Sequence, residues 1–272
     1  MIALFIGGTG TISMAITRLA ASQGWKLYLL NRGNRPAEDI PAGVEIINAD
    51  IYNESDVAEK IKGMQFDVVC DFIVFHSSAL ERDYRLFKGK TKQFMYISSA
   101  SAYQKPLSDY RITEGTPVIV HGDGTSLWTM TFNTDFARGF VGLMGNVHAI
   151  GETFQITSDE TLTWNQIYKA VADALGVELK PYYVSSQFLA DVSDYDLLGS
   201  LIGDKANSVV FDNSKLKRAV PNFRAEVRFD QGIRHTIDYV LAHPEFQKED
   251  SEFDAWCDKV IATLEKAKAA LR

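Results

Sequence analysis

Leu4-Phe5-Ile6-Gly7-Gly8-Thr9-Gly10-Thr11-Ile12-Ser13 places three glycines directly after an apolar run and directly before a helical pattern. The apolar residues read as a strand buried on both faces. Beyond the glycines, Ile12, Ala15, Ile16, Leu19 and Ala20 recur at helical spacing, Gly24 stops the helix, and Lys26-Leu27-Tyr28-Leu29-Leu30 resumes as a strand. The sum is a βαβ unit with its glycines at the strand-to-helix turn. An anion reaches the backbone N–H groups of a helix N-terminus only where no Cβ stands in the way, and Gly7, Gly8 and Gly10 meet that condition. Ser13 holds the third small position, where a glycine is usual, so the fingerprint is imperfect but sterically sound.

The same alternation continues. Val44–Ala49 reads as a third strand ending at Asp50-Ile51, Asn53 as the N-cap of a helix reaching to Gly63, Phe66–Asp71 as a fourth strand and Gln93–Ser98 as a fifth, with a helix around Ala79–Phe87 between the last two. Strands and helices at this spacing predict an α/β fold, a Rossmann-like doubly wound parallel sheet with ligands at the carboxyl ends of its strands. At the end of the second strand, an acid accepting from a ribose 2′-hydroxyl is replaced by Asn31 and Arg32, with Arg35 close behind. That leans from NAD towards NADP, the other reading of Arg32 being a solvated loop charge.

Composition sets the outer bounds. The 272 residues are 46% hydrophobic and 23% charged, enough for a sizeable core, and 28 Lys plus Arg against 35 Asp plus Glu leave a net charge of −7, which disfavours nucleic acid as a partner. Cys70 and Cys257 lie far apart and are read as buried thiols of a reducing compartment. No run approaches the roughly 18 apolar residues of a membrane helix, and no basic leader precedes Met1-Ile2-Ala3, so a cytoplasmic chain without a membrane partner is expected. The five histidines make no ligand spacing, and no metal site is expected. Thr134–Met144 reads as a helix, Thr153–Thr157 as a strand rejoining the sheet, and Trp164, Ile167, Val171 and Leu175 as an amphipathic helix closed by Gly176. The expected division is a Rossmann domain over 1–117, with 130–160 returning to it, and a smaller, mostly helical substrate lobe over 161–272. In the last helix, Phe253, Trp256, Cys257, Val260, Leu264 and Leu271 form a face read as core or interface.

With these pieces in place, the chain resembles the extended short-chain dehydrogenase/reductase superfamily, in its NAD(P)-dependent sugar epimerase/dehydratase branch and atypical members. The resemblance rests on Gly7-Gly8-Thr9-Gly10-Thr11-Ile12-Ser13, Asp50-Ile51, Tyr96-Ile97-Ser98-Ser99-Ala100-Ser101-Ala102-Tyr103 and His121-Gly122-Asp123-Gly124-Thr125. It implies a pyrophosphate turn at Gly7, Gly8, Thr9, Gly10, Thr11 and Ile12, an adenine contact at Asp50 and Ile51, and cofactor neighbours at Phe72, Ile73 and Ser98. It also implies a catalytic hydroxyl at Ser99, a carbohydrate-like small-molecule substrate and a homodimer. Around Asn31-Arg32-Gly33 and Ser98-Ser99-Ala100 the chain also resembles chloroplast stem-loop RNA-binding proteins of the atypical branch.

Two departures qualify the implied chemistry. In the family a tyrosine and a lysine four residues later, on the helix after the serine strand, act as acid/base. Here Ser108–Pro117 resembles the loop before that helix and runs straight into Val118–Gly124, which resembles a much later region, so the helix and the strand after it are expected to be absent. Tyr84 and Lys88 are the chain's Tyr-x-x-x-Lys pair, but they precede the serine strand, where helix-surface pairs of this kind are common. Tyr103 and Tyr110 stand nearer the site, and Tyr103 is the candidate substitute. The second departure is Trp128, where sugar-nucleotide enzymes carry an arginine for substrate phosphates; an indole supplies neither charge nor fork, so it is read as packing or stacking. Three functions follow: an epimerase, dehydratase or reductase; a catalytically impaired NAD(P)-binding sensor or scaffold; and an RNA-binding relative.

Overall fold

The computed structural model describes residues 1–33, 39–98, 117–247 and 250–272. The chain divides into two compact units, Met1–Ser99 with Thr131–Thr157 and Asp212–Glu226, and Ala100–Met130 with Ser158–Phe211 and Val227–Arg272.

The first unit is built on a parallel five-stranded sheet in the order β3-β2-β1-β4-β5. Its strands are β1 (Ile2–Ile6), β2 (Lys26–Asn31), β3 (Glu45–Asn48), β4 (Phe66–Asp71) and β5 (Thr91–Tyr96). Ile6 lies opposite both Leu30 and Asp71, so β1, β2 and β4 end level at their carboxyl ends. Successive side chains on a strand point to opposite faces. Ala3 and Phe5 therefore pack to one side, with Ile16 and Ala20 of α1 (Thr11–Ser22) and Ala137 and Phe140 of α4 (Asn133–Leu143). Leu4 and Ile6 go to the other side, with Val57 of α2 (Glu54–Lys60) and Leu86 and Phe87 of α3 (Ser77–Phe87). This two-sided cover is why β1 reads as an unbroken apolar run rather than an alternating one. Gln93 fastens β5 to the end of α4: its amide donates to the Leu143 carbonyl (3.1 Å) and accepts from the Gly145 N–H (2.6 Å).

The residues Thr153–Thr157, expected as a strand, are not paired to the sheet. The Asn213 side chain takes the place of a neighbouring strand, accepting from the Thr157 N–H (3.3 Å) and donating to the Thr157 carbonyl (2.6 Å).

The second unit contains β6 (Val118–His121) parallel to β9 (Pro181–Val184), β7 (Leu127–Trp128) antiparallel to β8 (Leu162–Thr163), and α5 (Trp164–Leu175), α6 (Ser186–Asp191), α8 (Phe229–Ala242) and α9 (Ser251–Ala270). A further short helix, α7 (Ser214–Ala219), belongs to the first unit. Thr163 caps α5 by accepting from the Gln166 N–H (3.2 Å), and Gly176 ends it at φ +73°. Trp128 stacks on Trp164 (6.2 Å between ring centres), so the indole is packed within this unit. The α9 face meets Val184 and Leu189 through Trp256, Val260 and Leu264. Cys70 is buried, but Cys257 on α9 is only half-buried, contrary to the expectation for both. No helix among the described residues is long and apolar enough to cross a membrane.

Candidate functional site

The carboxyl ends of β1, β2, β3 and β4 surround a cleft of about 450 Å³ that lies wholly within the first unit. Its lining includes Gly7, Thr9 and Gly10 from the turn after β1, Asn31 at the end of β2 with Arg32 after it, Asp50, Ile51 and Tyr52 after β3, and Ile73 and Phe75 after β4.

The glycine turn is held by side chains of the helix it leads into. Gly7 sits at φ +78°, and a Cβ on it would come 2.7 Å from Ile73 Cγ2. At Gly8 a Cβ would come 2.7 Å from Leu29 Cδ2 and 3.1 Å from Phe5 Cβ, so this glycine lets α1 approach the sheet. Ser13 Oγ accepts from the Gly10 N–H (2.8 Å) and donates to the Gly7 carbonyl (2.9 Å), while Thr17 Oγ1 donates to the Gly8 carbonyl (2.8 Å). The opening of α1 is exposed at Thr11 and Ile12, its first N–H groups have no intrahelical acceptor, and no acidic side chain occupies its first turn. A neutral, preformed, positive-ended cradle of this kind accepts a phosphate group.

The ribose-side positions differ from one another. Asn31 Oδ1 accepts from the Gly33 N–H (2.9 Å), closing a local turn, whereas Arg32 is exposed and pairs with no carboxylate among the described residues. Asp50 Oδ1 accepts from the Tyr52 N–H (3.0 Å), and Ile51 is buried beneath the cleft.

Behind the β4 wall lies a buried ionic cluster that no local motif announced. Asp71 ends β4, and Arg82 and Asp83 lie on α3; all three are at least 95% buried. Arg82 Nη2 donates to Asp71 Oδ2 (2.9 Å) and Arg82 Nε to Asp83 Oδ1 (2.8 Å). Asp71 Oδ1 accepts from the N–H of Ile73 (2.6 Å), and the Arg82 guanidinium lies 5.1 Å from the ring centre of Tyr52. Burial, reinforced by the neighbouring Asp83 carboxyl, pushes Asp71 up to about 7.

The expected site residues therefore distribute unevenly. Gly7, Thr9, Gly10, Asn31, Arg32, Asp50, Ile51 and Ile73 converge on the cleft. Gly8 supports the turn from below, and Thr11 and Ile12 form the opening of α1. Phe72 points into the core between Phe5 (5.3 Å) and Phe140 (5.6 Å) and does not line the cleft; Ser98 is exposed after β5. Ser99, Tyr103, Tyr110 and Arg35 lie outside the described residues. Tyr84 and Lys88 sit at the surface end of α3, the Lys88 ammonium over the Tyr84 ring at 4.8 Å. Tyr52 and Phe75 were not singled out by the sequence, because lone exposed aromatics carry no pattern. Among the described residues no group of three or more His, Cys, Asp and Glu side chains could hold a metal ion.

No protein-family model matches this chain. Among curated proteins it is similar to the chloroplast stem-loop binding protein of 41 kDa b from Arabidopsis thaliana, with 22% identity over 238 residues, 64% of this chain. The match spans 63% of the length of that relative. Among solved structures it is similar to an epimerase from Methanothermobacter thermautotrophicus, with a TM-score of 0.67 at 14% identity over 90% of this chain and 93% of that one. A UDP-glucuronic acid 4-epimerase from Bacillus cereus, in complex with NAD, gives a TM-score of 0.65 at 15% identity over 89% and 99%. A UDP-glucose 4-epimerase from Thermus thermophilus, also with NAD, gives 0.61 at 16% identity over 89% and 100%. At these identities the likeness establishes the fold: a Rossmann-like α/β architecture shared with sugar-epimerase structures.

Proposed function

We propose that this chain binds a nicotinamide dinucleotide in the cleft at the carboxyl ends of β1–β4 and belongs to the sugar epimerase/dehydratase type. The observation that carries the reading is the turn at Gly7–Gly10, preformed by Ser13 and Thr17 and opening onto the cleft. Gly7–Ile12 would hold the pyrophosphate, Arg32 would lie beside the adenosine ribose and favour a 2′-phosphate, and Asp50 and Ile51 would border the adenine. When bound, the dinucleotide supplies a hydride acceptor or donor. The chain's own part in that chemistry would be to orient the substrate oxygen through Ser99 and to move its proton through Tyr103. Carbohydrate as substrate class and a homodimer as assembly belong to the same reading, and both rest on the resemblance.

A second reading is favoured by one observation. The chain's Tyr-x-x-x-Lys pair, Tyr84 and Lys88, lies on the exposed surface of α3 and lines no part of the cleft. A dinucleotide-binding sensor or scaffold without turnover follows if the acid/base helix is missing from this chain. Stem-loop binding is the property in the Arabidopsis relative's name, and a nucleic-acid-binding reading of this chain is opposed by its net charge of −7.

Titration of the full chain with NADH and NADPH by ligand fluorescence tests the reading. One site per chain is expected, weakened at least about tenfold by Gly7→Ala, with Arg32→Ala weakening NADPH more than NADH. Absence of binding refutes it. Turnover lost in Ser99→Ala separates the enzyme from the sensor, and RNA affinity that falls with salt would favour the third function.

A further inference from the structure

The buried cluster behind the β4 wall has no part in holding the dinucleotide directly, and its charges do not cancel. Two carboxylates and one guanidinium leave a net charge of −1 out of water, a costly state unless a proton joins them. Asp83 Oδ2 and Arg82 Nη1 are buried without a hydrogen-bond partner among the described residues, and the Asp71 and Asp83 carboxyls accept from the same guanidinium. One proton on the carboxyl pair makes the cluster neutral. The surrounding groups do not compete for it. Glu54 of α2 is held ionised by Arg85 of α3 (2.6 Å), and burial keeps the adjacent Cys70 thiol protonated. Tyr52 offers Arg82 its ring face.

The cluster also touches both sides of the cleft. Asp71 fixes the Ile73 backbone, and the Ile73 side chain abuts Gly7 of the phosphate turn. Arg82 lies against Tyr52, which lines the adenine side. We infer that Asp71, Arg82 and Asp83 are positioning residues of the cleft that link dinucleotide binding to one proton. With the proton in place, the cluster is neutral and sets Ile73 and Tyr52 in the cleft walls. Its loss leaves two buried carboxylates repelling one another and adds a negative charge beside the site of an anionic ligand. Both effects have the same sign, so the protonated form binds more tightly. The raised affinity of Asp71 for its proton puts the change near neutral pH.

The inference rests on the dinucleotide reading, and NADH titration of the full chain across pH separates the two. Wild-type affinity is expected to weaken roughly five- to tenfold from about pH 6 to about pH 9. Asp83→Asn takes away one of the two buried carboxylates, keeps an oxygen for Arg82, and is expected to remove that dependence. A dependence that persists in Asp83→Asn overturns the linkage and leaves the dinucleotide reading standing. No NADH binding at any pH overturns both. Should Asp83→Asn fail to fold, calorimetry of wild type with NADH in buffers of different ionisation enthalpy decides: proton uptake on binding at about pH 7.5 supports the linkage, and no uptake refutes it.

Discussion

The two walls of the cleft are built from opposite materials. The β1–α1 wall is neutral: glycines set the backbone, and two hydroxyls, Ser13 and Thr17, tie three glycine residues to α1. The β4–α3 wall is ionic, resting on Asp71, Arg82 and Asp83 removed from water. The first wall is stabilised by bonds that no pH change in the ordinary range alters. The second depends on one proton, so the cleft joins a fixed phosphate cradle to an adjustable side.

The largest break in this contrast is expected at the ionic wall. Arg82→Met leaves two buried carboxyls without their cation and should destabilise the fold by about 3–5 kcal/mol in urea unfolding. At the neutral wall, Gly7→Ala forces a Cβ onto a residue at φ +78° and against Ile73, at a cost of about 2–3 kcal/mol, with loss of NADH affinity as the more sensitive readout. Thr17→Val keeps the shape but leaves the buried Gly8 carbonyl without its donor, for about 1–2 kcal/mol in the same measurement.

pH separates the walls further. Asp71 binds its proton more tightly in the folded chain than in the unfolded one, so its contribution to stability is full below about pH 4 and is lost as pH rises towards about 7. His121, in the second unit, has the opposite sign. Burial brings it down to about 4, so its contribution is present above about 6.5 and is lost as pH falls. Thermal melts of Asp83→Asn and His121→Gln against wild type should flatten opposite limbs of the profile. The smallest effect belongs to the exposed Arg85–Glu54 pair, where Arg85→Ala should leave the urea midpoint nearly unchanged despite two hydrogen bonds.

The sequence reveals the neutral wall far better than the ionic one, for a physical reason. A phosphate turn is written in adjacent residues, and β1 and β2 announce themselves as strands because both of their faces are covered. The bounds of β4, Phe66–Asp71, follow from the same signal. Ser13 illustrates the limit: it reads as a small residue permitting close packing, yet its hydroxyl bonds at both Gly7 and Gly10 are what hold the turn. The cluster of Asp71 with Arg82 and Asp83 forms only when α3 folds back across the end of β4, and three ordinary charges at that separation carry no periodicity. Thr153–Thr157 has strand-like residues but receives its bonds from Asn213, 56 residues beyond Thr157. Trp128 was legible as a packing residue because its chemistry excluded the alternative.

Backbone hydrogen exchange of the full chain with and without saturating NADH would bear most directly on the account. Slowed exchange is expected in residues 7–14, 31–33, 50–52 and 73–75, the segments that border the cleft and open α1, with no comparable change in α5 or α9. NADH binding that leaves the amides of residues 7–14 unprotected, or protects only segments of the second unit, would contradict it.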